Sequence, residues 1–279
     1  MDKLLIIDGS NLLFQMFFGM PSRIINKDGK AIHGTLGFIG ALKKIIKITN
    51  PTHLLVLFDG ERGSNRSDIN AEYKANRPDY SLVEENENPF SQLQDIYNAL
   101  NFLKICHTET NGVETDDLIA GYCKTFGDKM EIIVSSFDSD FFQLITDKVK
   151  IFRYRGDNST LCDSDYIKTK YQIKPSQYAD FKSLTGDTAD NIKGACKVGP
   201  KTASALINQF GSLENLLNNY QQIEKTAIRN SIESCLQTLA NNYKIIKLSN
   251  DCSLPFDLTT LKYSMPDIPT KEILKSIGL

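Results

Sequence analysis

Three apolar runs in this sequence each end in an aspartate, and this pattern restricts the possible folds strongly. The runs and their aspartates are residues 4–7 with Asp8, residues 54–58 with Asp59, and residues 132–137 with Asp138. Short apolar runs separated by helical segments are typical of parallel strands that are buried on both faces. Because ligands of such sheets bind beyond the carboxyl ends of the strands, we expect the three aspartates to converge at one edge.

A second acidic stretch, residues 113–117 (Val-Glu-Thr-Asp-Asp), precedes the apolar residues 118–120. It places Glu114, Asp116 and Asp117 at a predicted helix start. One interpretation is that these acids only complement the helix dipole, as acids at this position do in ordinary helices. A helix that begins at Glu114 could also direct them toward the edge where the strands end.

Further aspartates follow in the chain. Asp140 comes two residues after Asp138, and the segment Gly-Asp-Thr-Ala-Asp-Asn at 186–191 contains Asp187 and Asp190. Carboxylates that share one cleft repel one another and need a compensating positive charge. Because the candidate ligands are oxygens, with neither a His pair nor a Cys pair nearby, the pattern indicates magnesium or manganese.

The composition is that of a soluble globular protein, with 279 residues, 41% hydrophobic and 24% charged. No apolar stretch is long enough to span a membrane, and the sequence begins with a strand pattern rather than a signal peptide. Six cysteines without paired spacing indicate reduced thiols. We therefore expect a cytoplasmic protein that does not bind membranes.

Periodicity predicts the order of the secondary-structure elements. Strands are expected at 3–8, 53–59, 103–107, 131–137 and 149–153, the last at the sheet edge; a turn is expected at 9–11 and helices at 35–48, from about 90, at 114–125 and at 139–146. From about residue 165 the pattern is wholly helical, with segments near 176–185, 200–209, 213–219 and 223–248. The pattern breaks at 156–159, which predicts an α/β domain over 1–160 and a helical subdomain over 161–279.

Residues 60–87 (the arch segment) contain many charges and few apolar residues, which makes them too polar for a core. A polar excursion of this length from a compact sheet is usually functional or disordered. Arg66, Tyr73, Lys74 and Arg77 combine cations with an aromatic ring, which suits a phosphate backbone and a stacked base. The alternative is a solvated, mobile loop.

The helical half contains a local surplus of positive charge despite the net charge of −2 for the whole chain. Residues 191–230 contain five basic residues, Lys193, Lys197, Lys201, Lys225 and Arg229, and two acids, Glu214 and Glu224. Within it, residues 198–203 (Val-Gly-Pro-Lys-Thr-Ala) form a glycine-containing turn before a predicted helix. Such turns expose backbone N–H groups to phosphates and hold duplex DNA without reading its bases.

Taken together, these motifs resemble the 5′-nuclease family, which includes flap endonucleases, 5′-3′ exonucleases and the N-terminal nuclease domain of bacterial DNA polymerase I. The resemblance covers nearly the whole chain and becomes weaker after about residue 215. Its most specific pieces are 58–59 (Phe-Asp), Tyr73-Lys74 with Arg77, 113–117, 138–140 (Asp-Ser-Asp), and 186–187 with 190–192. The resemblance implies a PIN-like, mostly parallel α/β sheet with helices on both faces, a helical arch and a helix-three-turn-helix DNA-binding element.

The resemblance also implies roles for particular residues. It assigns Asp8, Asp59, Glu114 and Asp116 to a first metal ion, with Asp117 as an outer partner, and Asp138, Asp140, Asp187 and Asp190 to a second. It assigns Lys74 and Arg77 to the scissile phosphate and Tyr73 to base stacking, and it matches Arg66 loosely to an arch cation. The expected DNA contacts are Lys193, which precedes the hairpin (residues 194–203), and within the hairpin Lys197, Gly199, Lys201 and Thr202.

The sequence departs from the family pattern at two positions. Family members usually have Arg seven residues after the first aspartate, where this chain has Gln15, so one phosphate-binding cation is replaced. The hairpin has Lys197 where the family usually has Gly. If that position requires a positive φ, Lys costs about 1 kcal/mol there. This second departure leaves open whether the family's hairpin potassium ion binds.

These features predict a monomeric, magnesium-dependent, structure-specific nuclease with two ions, manganese being an alternative. The expected substrates are 5′-flap, nicked or gapped duplex DNA, and a DNA polymerase is a candidate partner. One rival is a DNA-binding module of the same fold without catalysis, although acids without a metal would be costly to bury. Another is a PIN-type ribonuclease that acts on single-stranded RNA.

Overall fold

Six strands form one sheet at the centre of the N-terminal half. The computed structural model describes residues 2–60, 66–264 and 268–279. The strands are β1 (Lys3–Asp8), β2 (His53–Phe58), β3 (Cys106–Glu109), β4 (Glu131–Ser135), β5 (Val149–Arg153) and β6 (Thr160–Cys162). Their order is β3-β2-β1-β4-β5-β6, and all neighbours are parallel except β5 and β6. The strand order reverses beside β1, where ligands bind in sheets of this kind.

Two hydrophobic cores cover the two faces of the sheet. Leu4 and Ile6 of β1 pack into one core, whereas Leu5 and Ile7 pack into the other, because successive side chains of a strand point to opposite faces. All four side chains are fully buried. The predicted class, a mostly parallel sheet with helices on both faces, is therefore confirmed.

Helices connect the strands, and the sequence pattern predicts the second, fourth and fifth of them. They are α1 (Gly9–Gly19), α2 (His33–Thr49), α3 (Arg66–Ile69), α4 (Leu93–Phe102) and α5 (Thr115–Phe126). The turn expected at 9–11 is wrong, because α1 begins at Gly9 with Asp8 as its N-cap: Asp8 Oδ1 accepts a hydrogen bond from the Asn11 N–H at 3.0 Å. The helix predicted at 139–146 is a single 3₁₀ turn, Asp140–Leu144.

The second half is mostly helical. Its helices are α6 (Ser164–Tyr171), α7 (Tyr178–Thr185), α8 (Pro200–Phe210), α9 (Leu213–Asn218), α10 (Thr226–Glu233), α11 (Leu236–Ile246) and α12 (Thr270–Ser276). The expectation that this half is wholly helical is wrong, because β7 (Gly186–Asp187) and β8 (Ile192–Lys193) form a small antiparallel pair. The expectation that β5 lies at the sheet edge is also wrong, since β6 pairs outside it.

Side-chain amides join the two halves. Gln143, in the 3₁₀ turn that follows β4, donates to the Ile246 carbonyl and accepts from the Leu248 N–H, both at 3.0 Å. Asn242 of α11 donates to the carbonyls of Ser183 at 3.1 Å and Lys193 at 2.8 Å. Buried amide pairs of this kind fix the helices relative to the sheet, because leaving either amide group unsatisfied would be costly.

The chain returns to the sheet after α11. The Leu54 N–H donates to the Leu261 carbonyl at 2.9 Å, and Ile273 of α12 is fully buried in the core beside α2 and α4. The boundary near residue 160 stays a prediction. Among the residues that the structure describes, no helix is long and apolar enough to cross a membrane.

Gly194 marks a close backbone crossing that positions β7 and β8. A Cβ there would lie 2.3 Å from the Thr185 carbonyl carbon and 2.5 Å from the Gly186 nitrogen, both of which are backbone atoms. We expect Gly194→Ala to lower the free energy of unfolding by about 1–3 kcal/mol, because the backbone must shift. Urea denaturation checks this.

The matched control is Gly40→Ala on α2, where the added Cβ meets no described heavy atom within 4 Å beyond the adjacent backbone of its own helix and its two chain neighbours. This change should raise the stability by about 0.5–1 kcal/mol, since Ala favours the helix more than Gly does. Equal effects of the two substitutions would contradict the close crossing at Gly194.

Candidate active site

The carboxyl edge of the sheet brings together the strand-end aspartates. Asp8 Oδ2 accepts a hydrogen bond of 2.8 Å from Ser136 Oγ, which itself accepts from the Asp138 N–H at 3.0 Å. Ser10 Oγ accepts from the Asp59 N–H at 2.9 Å. These contacts tie the ends of β1, β2 and β4 together, as the sequence predicts.

Helix α5 adds the acidic stretch to this edge. Glu114 is its N-cap residue, and Asp116 and Asp117 lie in its first turn, so the predicted helix start is confirmed. Asp116 interacts electrostatically with the strand-end aspartates. Asp117 instead accepts a hydrogen bond from the Ser249 N–H at 2.8 Å. Asp117 thus lies between the site and the chain that follows α11.

A second group of carboxylates lies beside the first. Oxygens of Asp140, Asp187 and Asp190 all lie within 4.8 Å of one another. Asp140 is the first residue of the 3₁₀ turn that contains Gln143, and Asp187 lies in β7. The small β7–β8 pair is what carries Asp187 and Asp190, which lie far from Asp140 in sequence, to the sheet edge.

Lys182 of α7 lies within this second group. Its Nζ contacts Asp140 and lies 2.6 Å from Asp187 Oδ2, and its side chain is only 8% exposed. Burial alone would lower the pKa of Lys182, but Asp140, Asp138 and Asp187 raise it above its usual value. Lys182 is therefore a buried ammonium ion inside the candidate metal site.

Arch cations contact the same carboxylates. Arg66 contacts Glu114, and its Nη2 lies 2.7 Å from Asp117 Oδ1; Lys74 Nζ lies 3.4 Å from Glu114 Oε2. Lys74 also has a positive φ of 57°, a strained conformation of the kind found at functional sites. The residues of the arch segment at 61–65 lie outside the described residues.

Arg77 and the backbone of the arch segment contact the second carboxylate group. Arg77 Nη2 lies 2.9 Å from Asp190 Oδ1, and the Lys74 N–H donates to the Asp190 carbonyl at 3.1 Å. Asn191 Nδ2 donates to the Glu72 carbonyl at 2.9 Å. The arch segment is thereby attached to the loop between β7 and β8.

The expectation that the whole arch segment is too polar for a core is wrong at two residues. Tyr73 is 9% exposed and packs with apolar side chains that include Ile192 and Ile245, and Arg66 is 8% exposed. The carboxylates of α5 satisfy the guanidinium of Arg66, which allows its burial. Whether Arg66 and Tyr73 contact DNA stays a prediction.

Burial and mutual repulsion shift the acids toward their neutral forms. Burial raises the pKa of Asp8 to about 7, with Asp59 adding to the rise, while hydrogen bonds from Asn11 and Ser136 oppose it. Burial, with Asp138 and Asp8, raises the pKa of Asp116 well above its usual value. Burial also raises the pKa of Asp140 to about 7, against the influence of Lys182. A bound divalent cation would reverse these shifts.

The hairpin presents the predicted DNA contacts at the surface. Lys193, Lys197, Gly199 and Lys201 are exposed, Thr202 is half-buried, and α8 begins with Pro200 in its first turn. Lys197 has a φ of 62°, so the position does require the left-handed conformation that Gly adopts more easily. The expected strain at Lys197 is confirmed, and the roles of these residues in binding DNA stay predictions.

Gln15 lies two turns along α1 from Asp8. Its Nε2 donates to the Tyr154 carbonyl at 2.6 Å, just beyond β5. The adjacent Arg155 has its guanidinium 5.6 Å from the ring of Phe137, the residue that precedes Asp138 in the chain. Gln15 thus has a structural contact where the family usually has a cation.

Sequence reasoning missed three groups at this site. Ser136 and Asn11 orient Asp8, and Asn11 Oδ1 also accepts from the Phe137 N–H at 3.0 Å. Lys182 was the most consequential omission. A lysine on an apolar helix face, five residues before Asp187, is the signal that could have identified it.

Comparisons with known proteins agree with this arrangement. Residues 3–172 match the family described as "5'-3' exonuclease, N-terminal resolvase-like domain", and residues 173–269 match "5'-3' exonuclease, C-terminal SAM fold". The fold and the two matches define a nuclease. The chain belongs to the 5′-3′ exonuclease family, which confirms the resemblance seen in the sequence.

Relatives of similar length include a 5′-3′ exonuclease of Buchnera aphidicola subsp. Acyrthosiphon pisum, 33% identical over 98% of this chain and 91% of the relative. A DNA polymerase I of Bacillus subtilis is 31% identical over 94% of this chain, which spans only 29% of that polymerase. A solved T5 5′-exonuclease with bound zinc ions shares the fold, with a TM-score of 0.75, 22% identity and coverage of 99% of this chain and 100% of that chain.

The raised pKa values predict how stability depends on pH. From about pH 4 to about pH 7 the folded protein retains a proton on Asp8, whereas an unfolded aspartate, with a pKa of 3.8, has released it. Stability must therefore fall as the pH rises through this range. In EDTA, we expect the melting temperature to fall by at least about 3 °C between about pH 5 and about pH 7.5.

The control variant is Asp8→Asn, which removes the titrating group and should flatten the dependence of the melting temperature on pH. Differential scanning calorimetry across the pH series checks this. A melting temperature that rises with pH over this interval would show that the acids are stabilised as anions by the protein alone.

Proposed function

We infer that this protein is a divalent-metal-dependent, structure-specific 5′-nuclease that hydrolyses phosphodiesters of 5′-flap, nicked or gapped duplex DNA. The observation that carries the proposal is the convergence of two carboxylate groups and several cations at the carboxyl edge of the sheet. Phosphodiester hydrolysis needs charge neutralisation and positioning more than covalent chemistry, and this site offers both.

The donor atoms fit magnesium or manganese. The first carboxylate set comprises Asp8, Asp59, Glu114 and Asp116, with Asp117 outside it, and the second carboxylate set comprises Asp138, Asp140, Asp187 and Asp190. Carboxylate oxygens are the ligands that these hard cations prefer. Two such ions, held by these two sets, would supply an activated water and stabilise the leaving oxygen. A T5 flap endonuclease has been solved with DNA and metal ions, which supports the proposal.

Lys74 and Arg77 are proposed to bind the scissile phosphate. Each contacts one carboxylate set, Lys74 through Glu114 and Arg77 through Asp190, so that together they border both sets. Arg77 is half exposed, which leaves its guanidinium available to an incoming phosphate. Arg66 would hold the arch segment against α5 while it contributes positive charge. Tyr73 would stack on a base once its ring leaves the apolar side chains that bury it here.

The hairpin is proposed to hold duplex DNA beyond the cut. Exposed Lys193, Lys197 and Lys201, with Gly199 and Thr202, provide charge and backbone N–H groups at the start of α8, which suits sequence-independent phosphate contacts. Potassium at the hairpin, a DNA polymerase partner, a monomeric state and a cytoplasmic location remain part of the proposal.

Cleavage of a 5′-labelled flap duplex tests the proposed function. We expect cuts near the junction in magnesium or manganese and none in EDTA, because the repelling carboxylates need cations to hold a phosphate nearby. The matching single-stranded DNA and single-stranded RNA are the control substrates. Undiminished cleavage in EDTA would contradict metal dependence, and preferred cleavage of single-stranded RNA would favour a PIN-type ribonuclease.

Lys74→Ala tests the assignment at the scissile phosphate. We expect the single-turnover rate on flap DNA to fall on the order of a hundredfold, as it does when one group that stabilises transition-state charge is removed. Duplex affinity should change much less. Rapid-quench kinetics and fluorescence anisotropy measure the two quantities.

Lys124→Ala is the matched control, because Lys124 is exposed and pairs with exposed Asp251 away from the site. It should leave both quantities unchanged. If Lys74→Ala instead weakened binding while the single-turnover rate stayed normal, Lys74 would be an anchor for DNA and not a catalytic group.

A further inference from the structure

The second carboxylate set contains a cation of the protein itself. Lys182 Nζ contacts Asp140 Oδ1 and lies 2.6 Å from Asp187 Oδ2. Oxygens of these two aspartates and of Asp190 lie within 4.8 Å of one another. The ammonium group therefore fills part of the space in which a shared divalent cation would lie.

Burial distinguishes Lys182 from the other cation of this set. Its side chain is 8% exposed, whereas the side chain of Arg77, which pairs with Asp190, is 54% exposed. Solvent and salt screen an exposed ion pair but have little effect on a buried one. The contacts of Lys182 with Asp140 and Asp187 are therefore screened less than the contact of Arg77 with Asp190.

The backbone of Lys182 is held in place from several sides. The Tyr178 ring packs edge-on against Phe142, in the turn that begins at Asp140, with 5.2 Å between ring centroids. Asn242 fixes the Ser183 carbonyl and β8. Because α7 is fixed, only the flexible four-carbon side chain of Lys182 can move its charge away from the aspartates.

An ammonium ion and a divalent cation cannot share these contacts. Ammonium nitrogens lie about 2.7–2.9 Å from carboxylate oxygens, magnesium lies about 2.1 Å from them, and the two positive charges repel. We propose that Lys182 is a built-in competitor for the second divalent cation, so that its side chain must withdraw from Asp140 and Asp187 before the ion binds there.

This inference rests on the proposed function, which assigns these aspartates to a second ion. It adds that the second ion binds more weakly than the first because it must displace Lys182. The cation concentration needed for cleavage is then set by this lysine as well as by the acids.

Manganese binding to the full chain without DNA tests the inference, with free Mn²⁺ measured by electron paramagnetic resonance. We expect wild type to bind one ion tightly and a second weakly. Lys182→Met should tighten the second site at least about tenfold, equivalent to about 1.4 kcal/mol. Lys182→Arg keeps the charge and should retain the weak second site. Lys168→Met, on exposed α6, is the control and should match wild type.

If Lys182→Met does not fold in EDTA, Lys182→Gln keeps hydrogen-bond donors without the charge and is expected to show the same tightening. Equal or weaker second-site binding in the uncharged variant would overturn the role of Lys182 and leave the proposed function intact. A wild-type protein that bound no Mn²⁺ at all would overturn the proposed function and this inference together.

Discussion

Repulsion among buried carboxylates at the carboxyl edge of the sheet is the constraint on which the rest of the structure depends. Burial and the neighbouring Asp59 raise the pKa of Asp8 to about 7, so this group resists ionisation unless a cation approaches. Protein cations provide part of that charge: Arg66 and Lys74 at α5, and Lys182 in the second carboxylate set. Bound cations would therefore stabilise the ionised carboxylates of this site.

The strands and helices of the fold bring these charged side chains together. Parallel strands β1, β2 and β4 end at one edge, and their backbones are fixed by two hydrophobic cores. The aspartates from the helical half arrive through the small β7–β8 pair, which is held by Asn242 of α11. These protein contacts hold the two halves together at the site.

The sequence predicted most of the sheet and the convergence of its strand-end aspartates, because buried strands have a simple periodicity and their terminal aspartates interrupt it visibly. It did not predict β6 or the β7–β8 pair, since strands of two or three residues are set by tertiary contacts and have no pattern of their own. Burial of Tyr73 and Arg66 was missed because local polarity suggests exposure. Lys182 was missed because its partners, Asp140 and Asp187, are adjacent only in the folded chain.

The central claim is that the two carboxylate sets hold two divalent cations around a phosphate of branched DNA. Anomalous diffraction from crystals of the protein with a 5′-flap duplex and Mn²⁺ tests it most directly. The account predicts two manganese peaks about 4 Å apart, one beside Asp8 and Asp116 and one beside Asp140 and Asp187, with the Lys182 ammonium moved away from both aspartates. Manganese peaks outside the two carboxylate sets, or a single peak in the first set with Lys182 still paired to Asp140, would contradict it.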